Sequence, residues 1–368
     1  MTEPSKLESR RKKKAKTTQW LRNQLKSLAW WRRMDVAIDI GTCTTQIHTE
    51  TNGVLFDQPT VVIARTLGNS NESVGIESFG ATAARLAGST PTDLRCIWPV
   101  RGGVVSDYTI AVAWIRHAIK QAGLHPGLIR RIIFSIPAAA TQVDIRALSD
   151  VAEDIGFSEI YVVEEAVAAA VGSGLPVSQP VGSMVVDIGG GTTEVAVLSY
   201  FGKAVSFSSQ IGGNRFDSAI QQYLRREHNT LIDETTAEKI KLCIGSAYHT
   251  TKESEIQVIG RCLVEGLPKT VKIRSNSVRD CYSDVTKEII VLIRRTLEQT
   301  PPKLLKDIYE SQIILTGGGS TLLGMDALIR ESTKMQVMIA ESPQHCVARG
   351  CSKILKDINH YRHILTRL

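Results

Sequence analysis

No stretch of this 368-residue chain stays apolar for the roughly 18 to 20 residues that a membrane-spanning helix needs. The basic amino terminus leads into no apolar run with a small-residue cleavage site, so no secretory signal is expected. Seven cysteines (Cys43, Cys96, Cys243, Cys262, Cys281, Cys346 and Cys351) are scattered without a single CxxC pair. An odd, dispersed set argues against a disulfide framework or a zinc site and reads as reduced thiols in the cytosol. No low-complexity linker divides the chain after residue 33. The length is too great for one simple core, so two large lobes joined by short crossings are expected. Hydrophobic content of 43% and charged content of 22% are those of an ordinary globular protein.

The formal charge of +7 is unevenly spread. Residues 1–33 carry eleven Lys or Arg against Glu3 and Glu8, and the remainder is close to neutral. The high pI therefore belongs to a tail, which points to one anionic partner and away from general nucleic-acid binding. Met1 to Ala15 is polar and basic, without apolar periodicity. On a helical wheel of residues 16–33, Trp20, Leu21, Leu25, Leu28, Ala29 and Trp31 share one half-circle, with Arg22, Lys26 and Arg33 just outside it. A basic flank, aromatic anchors and too short a span describe a helix lying in the headgroup region of an anionic membrane. Arg10 to Lys14 would add electrostatic attraction. A solvated tail, or a helix packed on the protein's own surface, is the plainer alternative. Paired tryptophans beside leucines suit lipid better than a phosphate backbone, so no nucleic acid is expected.

From Asp35 onward strand-like and helix-like stretches alternate, the pattern of an α/β protein. Strands are predicted at 35–40, 131–136, 160–163, 183–188, 194–199 and 312–315. Helices are predicted at 110–122, 141–155, 215–226, 236–244, 285–299 and 322–333, the fourth capped near Thr235 or Thr236. Pro301-Pro302 should stop the helix that ends at Gln299.

The strongest signal is a repeat. Asp39-Ile-Gly-Thr-Cys-Thr-Thr45 and Asp187-Ile-Gly-Gly-Gly-Thr-Thr193 agree at five of seven positions, 148 residues apart. Each follows a β-branched strand and precedes another, which predicts two β-hairpins with turns rich in Gly and Thr. Such turns expose successive backbone N–H groups, a concave donor set that suits phosphate oxygens. The Asp ending each strand, Asp39 and Asp187, is placed to hold Mg²⁺ through its waters. One such turn could be a tight hairpin with no ligand; two at matching places in two αβ halves argue for a triphosphate clamped between them. A third cluster, Gly317-Gly318-Gly319-Ser320, follows a strand and is expected to open the helix at Leu322 and to approach an adenosine. A fourth, Ile211-Gly-Gly-Asn214, has the same context and is expected to line the same cleft.

These residues resemble the MreB family, the bacterial rod-shape actins of the actin and Hsp70 superfamily. Ser183-Met-Val-Val-Asp-Ile-Gly-Gly-Gly-Thr-Thr-Glu-Val-Ala-Val197 is similar to that family's second phosphate loop. Gly266-Leu-Pro-Lys-Thr270, Leu297-Glu-Gln-Thr-Pro-Pro302, Leu315-Thr-Gly-Gly-Gly319 and Ile160-Tyr-Val-Val-Glu-Glu165 resemble other stretches of it, and the likeness runs from about Met34 to about Leu355. The resemblance implies an actin-like α/β fold, two lobes around a nucleotide cleft, each with a large and a small subdomain. It implies lobe I over 34–165 (small subdomain about 59–100), lobe II over 166–325 (small subdomain about 214–275), and C-terminal helices over 326–368 returning to lobe I. Asp39, Gly41, Thr42, Cys43, Thr44 and Thr45 would form the first phosphate loop, Gly189, Gly190, Gly191 and Thr192 the second, with Glu238 and Lys241 on a nucleotide-contacting helix. Glu165 takes the position that orients the attacking water, with Thr192 and Asp187 beside it; its plainer role, shared with Glu164, is to cap the helix beginning at Ala166.

The chain departs from the family's usual pattern at four places. Thr44 stands for Asn, Ala166 for Pro, Arg101-Gly102 for Lys-Asp and Gly213-Asn214 for Gly-Asp. These bear on hydrolysis more than on binding, because Thr44 still offers a hydroxyl while Ala166 loosens the residue after Glu165. The implied function is a slow ATPase, with ATP and Mg²⁺, that polymerises with itself on the cytoplasmic face of the membrane, organises cell-wall synthesis with elongation proteins and maintains rod shape. A divergent membrane scaffold with little or no hydrolysis is the alternative. A chaperone of the same fold would need a peptide-binding domain, and a sugar kinase substrate insertions, neither of which is found. A DNA-segregating actin could use the basic tail, but the family-specific stretches favour MreB.

Overall fold

A computed structural model describes residues 34–66, 74–88, 91 and 93–368. Trp20, Leu21, Leu25, Leu28 and Trp31, the expected membrane residues, lie outside the described residues. Among the described residues, no helix is long and apolar enough to cross a membrane.

Two sheets share one topology. The first orders its strands Thr366–Arg367, Ile160–Glu164, Ile129–Ile136, Met34–Ile40, Thr44–Thr49 and Gly53–Pro59. The second orders Gly202–Ser209, Thr193–Ser199, Ser183–Ile188, Ile313–Thr316 and Val337–Ile339. In each, three consecutive strands form an antiparallel meander, and two later strands add in parallel beside its first strand. The repeated sequence is thus a repeated register: Asp39 pairs across its hairpin with Gln46, and Asp187 across its own with Glu194. All six residues of Ser183–Ile188 are buried, as expected for a central strand covered on both faces. Two smaller three-stranded sheets stand apart, one of Val62–Thr66, Val74–Phe79 and Leu94–Ile97, the other of Thr230–Leu231, Glu255–Cys262 and Pro268–Arg274.

Each large sheet has its own core. Val36, Ile38, Trp114, Ile132 and Phe134 anchor the first, and Val186, Val195, Phe216, Ile240 and Ile289 the second. A third cluster lies between the sheets, where the helices Glu165–Ser173 and Cys346–Lys356 pack on Ala37 and Ile133 of one sheet and Val185 and Ala196 of the other. These two helices cross at glycines. A Cβ on Gly172 would stand 1.8 Å from the Cys346 carbonyl oxygen, and one on Gly350 would stand 1.8 Å from that of Ala168. Only glycine permits so close a backbone approach. The contact is reciprocal, Ala168 answering to Cys346 and Gly172 to Gly350.

Several local expectations need correction. The helix Glu234–Ile244 starts earlier than expected: Asp233 is its cap, its carboxylate accepting from the Thr236 N–H at 2.7 Å. The glycine cluster does not open a helix at Leu322. A 3₁₀ turn at Gly318–Thr321 intervenes, and the helix runs Met325–Thr333. Pro301-Pro302 does end the helix Ser283–Gln299, and Pro302 then opens another, Pro302–Glu310, at a position where its missing N–H costs nothing.

Candidate functional site

The two hairpin turns face each other across a cleft of about 1060 Å³. Each is closed in the same way: the Gly41 N–H donates to the Thr44 carbonyl at 2.9 Å, and the Gly189 N–H to the Thr192 carbonyl at 2.8 Å. The turns nearly touch. A Cβ on Gly190 would meet the Cys43 sulfur at 2.2 Å, and one on Gly191 the Thr42 hydroxyl at 2.7 Å. Glycine is required here because the opposing turn fills the space a side chain would occupy. The Cys43 thiol donates across the cleft to Asn214 Oδ1 at 3.1 Å. The helix Gly213–His228 is tied to the second turn as well, by N–H bonds from Gly213 to the Gly189 carbonyl and from Asn214 to that of Gly190.

Three acidic side chains, Asp39, Asp187 and Glu165, line the cleft, and a fourth, Glu194, is buried outside the lining. Asp39 Oδ1 accepts from the Ser135 hydroxyl at 2.7 Å, and Asp187 Oδ1 from the Thr316 hydroxyl at 2.7 Å. Ser135 and Thr316 sit on corresponding parallel strands, so each half clamps its carboxylate with a hydroxyl from the neighbouring strand. Burial pushes both carboxyls up to about 6, and the charge of Asp187 adds to the rise at Asp39. Glu165, at the start of Glu165–Ser173, is raised well above the usual carboxylate range by burial and then by the charges of Glu194, Asp39 and Asp187. Burial pushes Glu194 up to about 7, against hydrogen bonds from the Ala138 and Ala166 N–H groups. Perturbed carboxyls lining a cleft make it a candidate site for chemistry.

Of the residues expected at the site, the cleft is lined by Asp39, Gly41, Thr42, Cys43, Thr44, Glu165, Asp187, Gly189, Gly190, Gly191, Thr192, Glu238, Lys241, Gly317, Gly318 and Gly319. Thr45 and Ser320 are not in the lining. Thr45 is fully buried behind the turn, where its hydroxyl accepts from Trp114 Nε1 and meets the Thr60 hydroxyl, each at 2.8 Å. The Ser320 hydroxyl turns inward to the Gly317 carbonyl at 2.7 Å. Lys241 donates to Asp217 at 2.7 Å and to the Gly213 carbonyl at 3.2 Å, which ties its helix to the turn-bearing one. Glu164 does not cap the following helix; it pairs with Lys203. Sequence reasoning missed Ser135, Thr316 and Glu194, and also Gly103, whose N–H donates to the Thr42 hydroxyl at 3.2 Å beside Glu165.

This geometry can be set beside known proteins. The MreB/Mbl protein family matches residues 33–363. The chain belongs to the MreB/Mbl family. The cell shape-determining protein MreB of Escherichia coli (strain K12) is 41% identical over 327 residues, covering 88% of this chain and 94% of that protein. The cell shape-determining protein Mbl of Bacillus subtilis (strain 168) is 36% identical, covering 88% and 96%. Among solved structures, MreB5 of Spiroplasma citri bound to ADP superposes with a TM-score of 0.83 at 31% identity, covering 89% of this chain and 97% of that one. The same MreB5 bound to AMPPNP superposes at 0.84. The MamK double helical filament matches at 0.74 with 20% identity, which shows the shared actin-like fold.

Proposed function

We propose that this MreB/Mbl member binds ATP in the cleft and polymerises on the inner face of the cell membrane, where it organises cell-wall synthesis and maintains rod shape. The observation that carries the reading is the pair of duplicated turns set face to face, which line the cleft with Gly41 to Thr44 from one side and Gly189 to Thr192 from the other. The nucleotides held by the S. citri relative support it, and so do the names of the E. coli and B. subtilis relatives.

Mg²⁺ fits the residues present. Asp39 and Asp187 offer hard oxygen donors whose buried charges call for a cation. Mg²⁺ keeps most of its water shell, so two carboxylates reached through water would be enough to place it. When bound, it would neutralise phosphate charge. Glu165 is the residue to receive a proton from the attacking water, because it lines the cleft beside the second turn; burial and the neighbouring acids raise its carboxyl above the ordinary value. Thr44 and Thr192 close the two turns that would hold the phosphates. Slow hydrolysis coupled to polymerisation follows; a scaffold with little turnover is the alternative, favoured by Ala166 where relatives carry Pro. Elongation proteins of the cell wall are the expected partners, and residues 1–33 the membrane anchor.

Sedimentation and electron microscopy with ATP, ADP or no nucleotide, with and without anionic liposomes, test the reading. Filaments should require nucleotide, and removing residues 1–33 should abolish most liposome binding while ATP binding persists. A truncated chain that floats with liposomes as well as the full one would sink the anchor, and nucleotide-independent pelleting would sink the polymerisation.

A further inference from the structure

We infer that Glu194 is a positioning residue that carries the placement of one lobe against the other into Glu165. The inference rests on the hydrolysis reading of Glu165 and goes a step beyond it.

Glu194 belongs to the second large sheet, in Thr193–Ser199, and is 1% exposed. Its two oxygens nevertheless accept from backbone on the other side of the junction. Oε1 takes the Ala138 N–H at 2.6 Å, in the segment that leaves strand Ile129–Ile136 of the first sheet. Oε2 takes the Ala166 N–H at 3.2 Å, one residue after Glu165. The helix Glu165–Ser173 has no side-chain cap from its own N-cap residue. First-turn N–H groups need an acceptor from elsewhere, and a carboxylate is the favourable one at a helix N-terminus. Glu194 is therefore a cap supplied in trans, and a rotation of the second sheet relative to the first pulls directly on the turn that bears Glu165.

The matching position of the other half shows what the same joint looks like without this chemistry. Gln46 answers to Glu194 in hairpin register, and it donates to the Gln344 carbonyl at 3.1 Å. Gln344 and Ala166 are separated in sequence as Ala168 and Cys346 are, so the two bonds span equivalent places. A neutral amide is enough to fasten that junction. In the half that holds Glu165, a carboxylate is kept beside two other buried acids, Glu165 and Asp187, an arrangement that fastening alone does not require. The bond also needs a residue with an N–H at position 166, which Ala166 supplies and proline would not.

The test uses the full chain, with Glu194→Gln, Ala166→Pro and the double variant. Glutamine keeps the shape but turns an NH₂ toward one of the two donors; proline deletes the donor at a first-turn position where it is tolerated. Three readouts are taken: amide exchange of the segment around Ala166, phosphate release at saturating ATP, and ATP affinity by calorimetry. Glu194→Gln should speed exchange at Ala166 and slow phosphate release, each by about ten-fold, with ATP affinity changed less than about two-fold. In the Ala166→Pro background the Glu194→Gln effect on phosphate release should shrink to less than about two-fold, since the two share one bond. Wild-type exchange in Glu194→Gln, an unchanged rate of release, or fully additive effects would each overturn the inference. Absence of phosphate release from the unmodified chain would overturn the hydrolysis reading and, with it, the role given to Glu194. The exchange arm would still decide whether the trans cap exists.

Discussion

Replacing Asp187 by Asn should stabilise the nucleotide-free protein at neutral pH and leave it unchanged in acid. Asp187 is buried, and its Oδ1 accepts from the Thr316 hydroxyl, a bond the Asn oxygen can keep. Burial raises its carboxyl from 3.8 to about 6. The sign follows from the raised folded-state value. The unfolded chain gives up its proton first as pH rises, so stability is greatest below the unfolded value and falls until the folded value is passed. At about 1.4 kcal/mol per unit, a rise of roughly two units costs on the order of 3 kcal/mol above about pH 6 and nothing below about pH 4. Relief at Asp39, whose own rise includes the charge of Asp187, adds in the same direction. With a urea slope of about 3 kcal/mol per molar, the Asn variant should unfold about 1 M later than wild type at about pH 7.5, and together with it at about pH 4. Mg²⁺ and ATP should reverse the order, because ligand at about 100 times its Kd adds about 2.7 kcal/mol to wild type and little to a variant that cannot hold it. An equal gain at both pH values would refute the electrostatic reasoning, since it would mean that packing, not charge, separates the two chains.

Two further outcomes are expected. Gly350→Ala places a methyl group 1.8 Å from the Ala168 carbonyl oxygen, so it should force the central helices apart and cost at least about 1–3 kcal/mol, read as a lowered thermal midpoint; an unchanged midpoint would show that the crossing yields without strain. Glu165→Ala should reduce phosphate release by about a hundred-fold while ATP affinity by calorimetry stays as in wild type, and equal release by the two proteins would remove Glu165 from the reaction.

The turns were legible because their chemistry is local. A strand end, two or three small residues and paired threonines are a pattern a single chain segment displays, and its recurrence identified both halves. Which side of a strand each threonine faces was less legible. Thr44 and Thr45 differ by one pleat step, and that step puts Thr44 in the cleft and Thr45 against Trp114. The cap at Asp233 was missed because Asp-Glu-Thr-Thr offers several acceptors in a row, and only the backbone at the helix start chooses among them. Ser135 and Thr316 carry no spacing signal at all. Each becomes a clamp only when parallel pairing brings its strand beside an aspartate far away in sequence. Gly172 and Gly350 likewise read as weak spots in helices until their partner's carbonyl is seen in the space a methyl would fill.

The symmetry of the molecule explains where its chemistry can reside. Two equivalent turns, two equivalent clamped aspartates and a reciprocal helix crossing can bind a ligand between them, but equivalent halves cannot assign one of them to attack it. The assignment comes from positions where the halves differ. Glu194 stands where the other half has Gln46, and Glu165 precedes a buried N–H that Glu194 holds, while the corresponding backbone near Gln344 offers a carbonyl to an amide. On the proposed hydrolysis reading, the same divergence joins the site to the junction between the sheets, because the acid that caps the Glu165 turn, Glu194, belongs to the other sheet. A change in lobe placement, such as assembly into a filament would impose, therefore has a covalently short route to Glu165: one side chain and one hydrogen bond. The proposed coupling of hydrolysis to lobe placement thus sits at the broken element of the symmetry, and the unbroken elements keep the frame against which it acts.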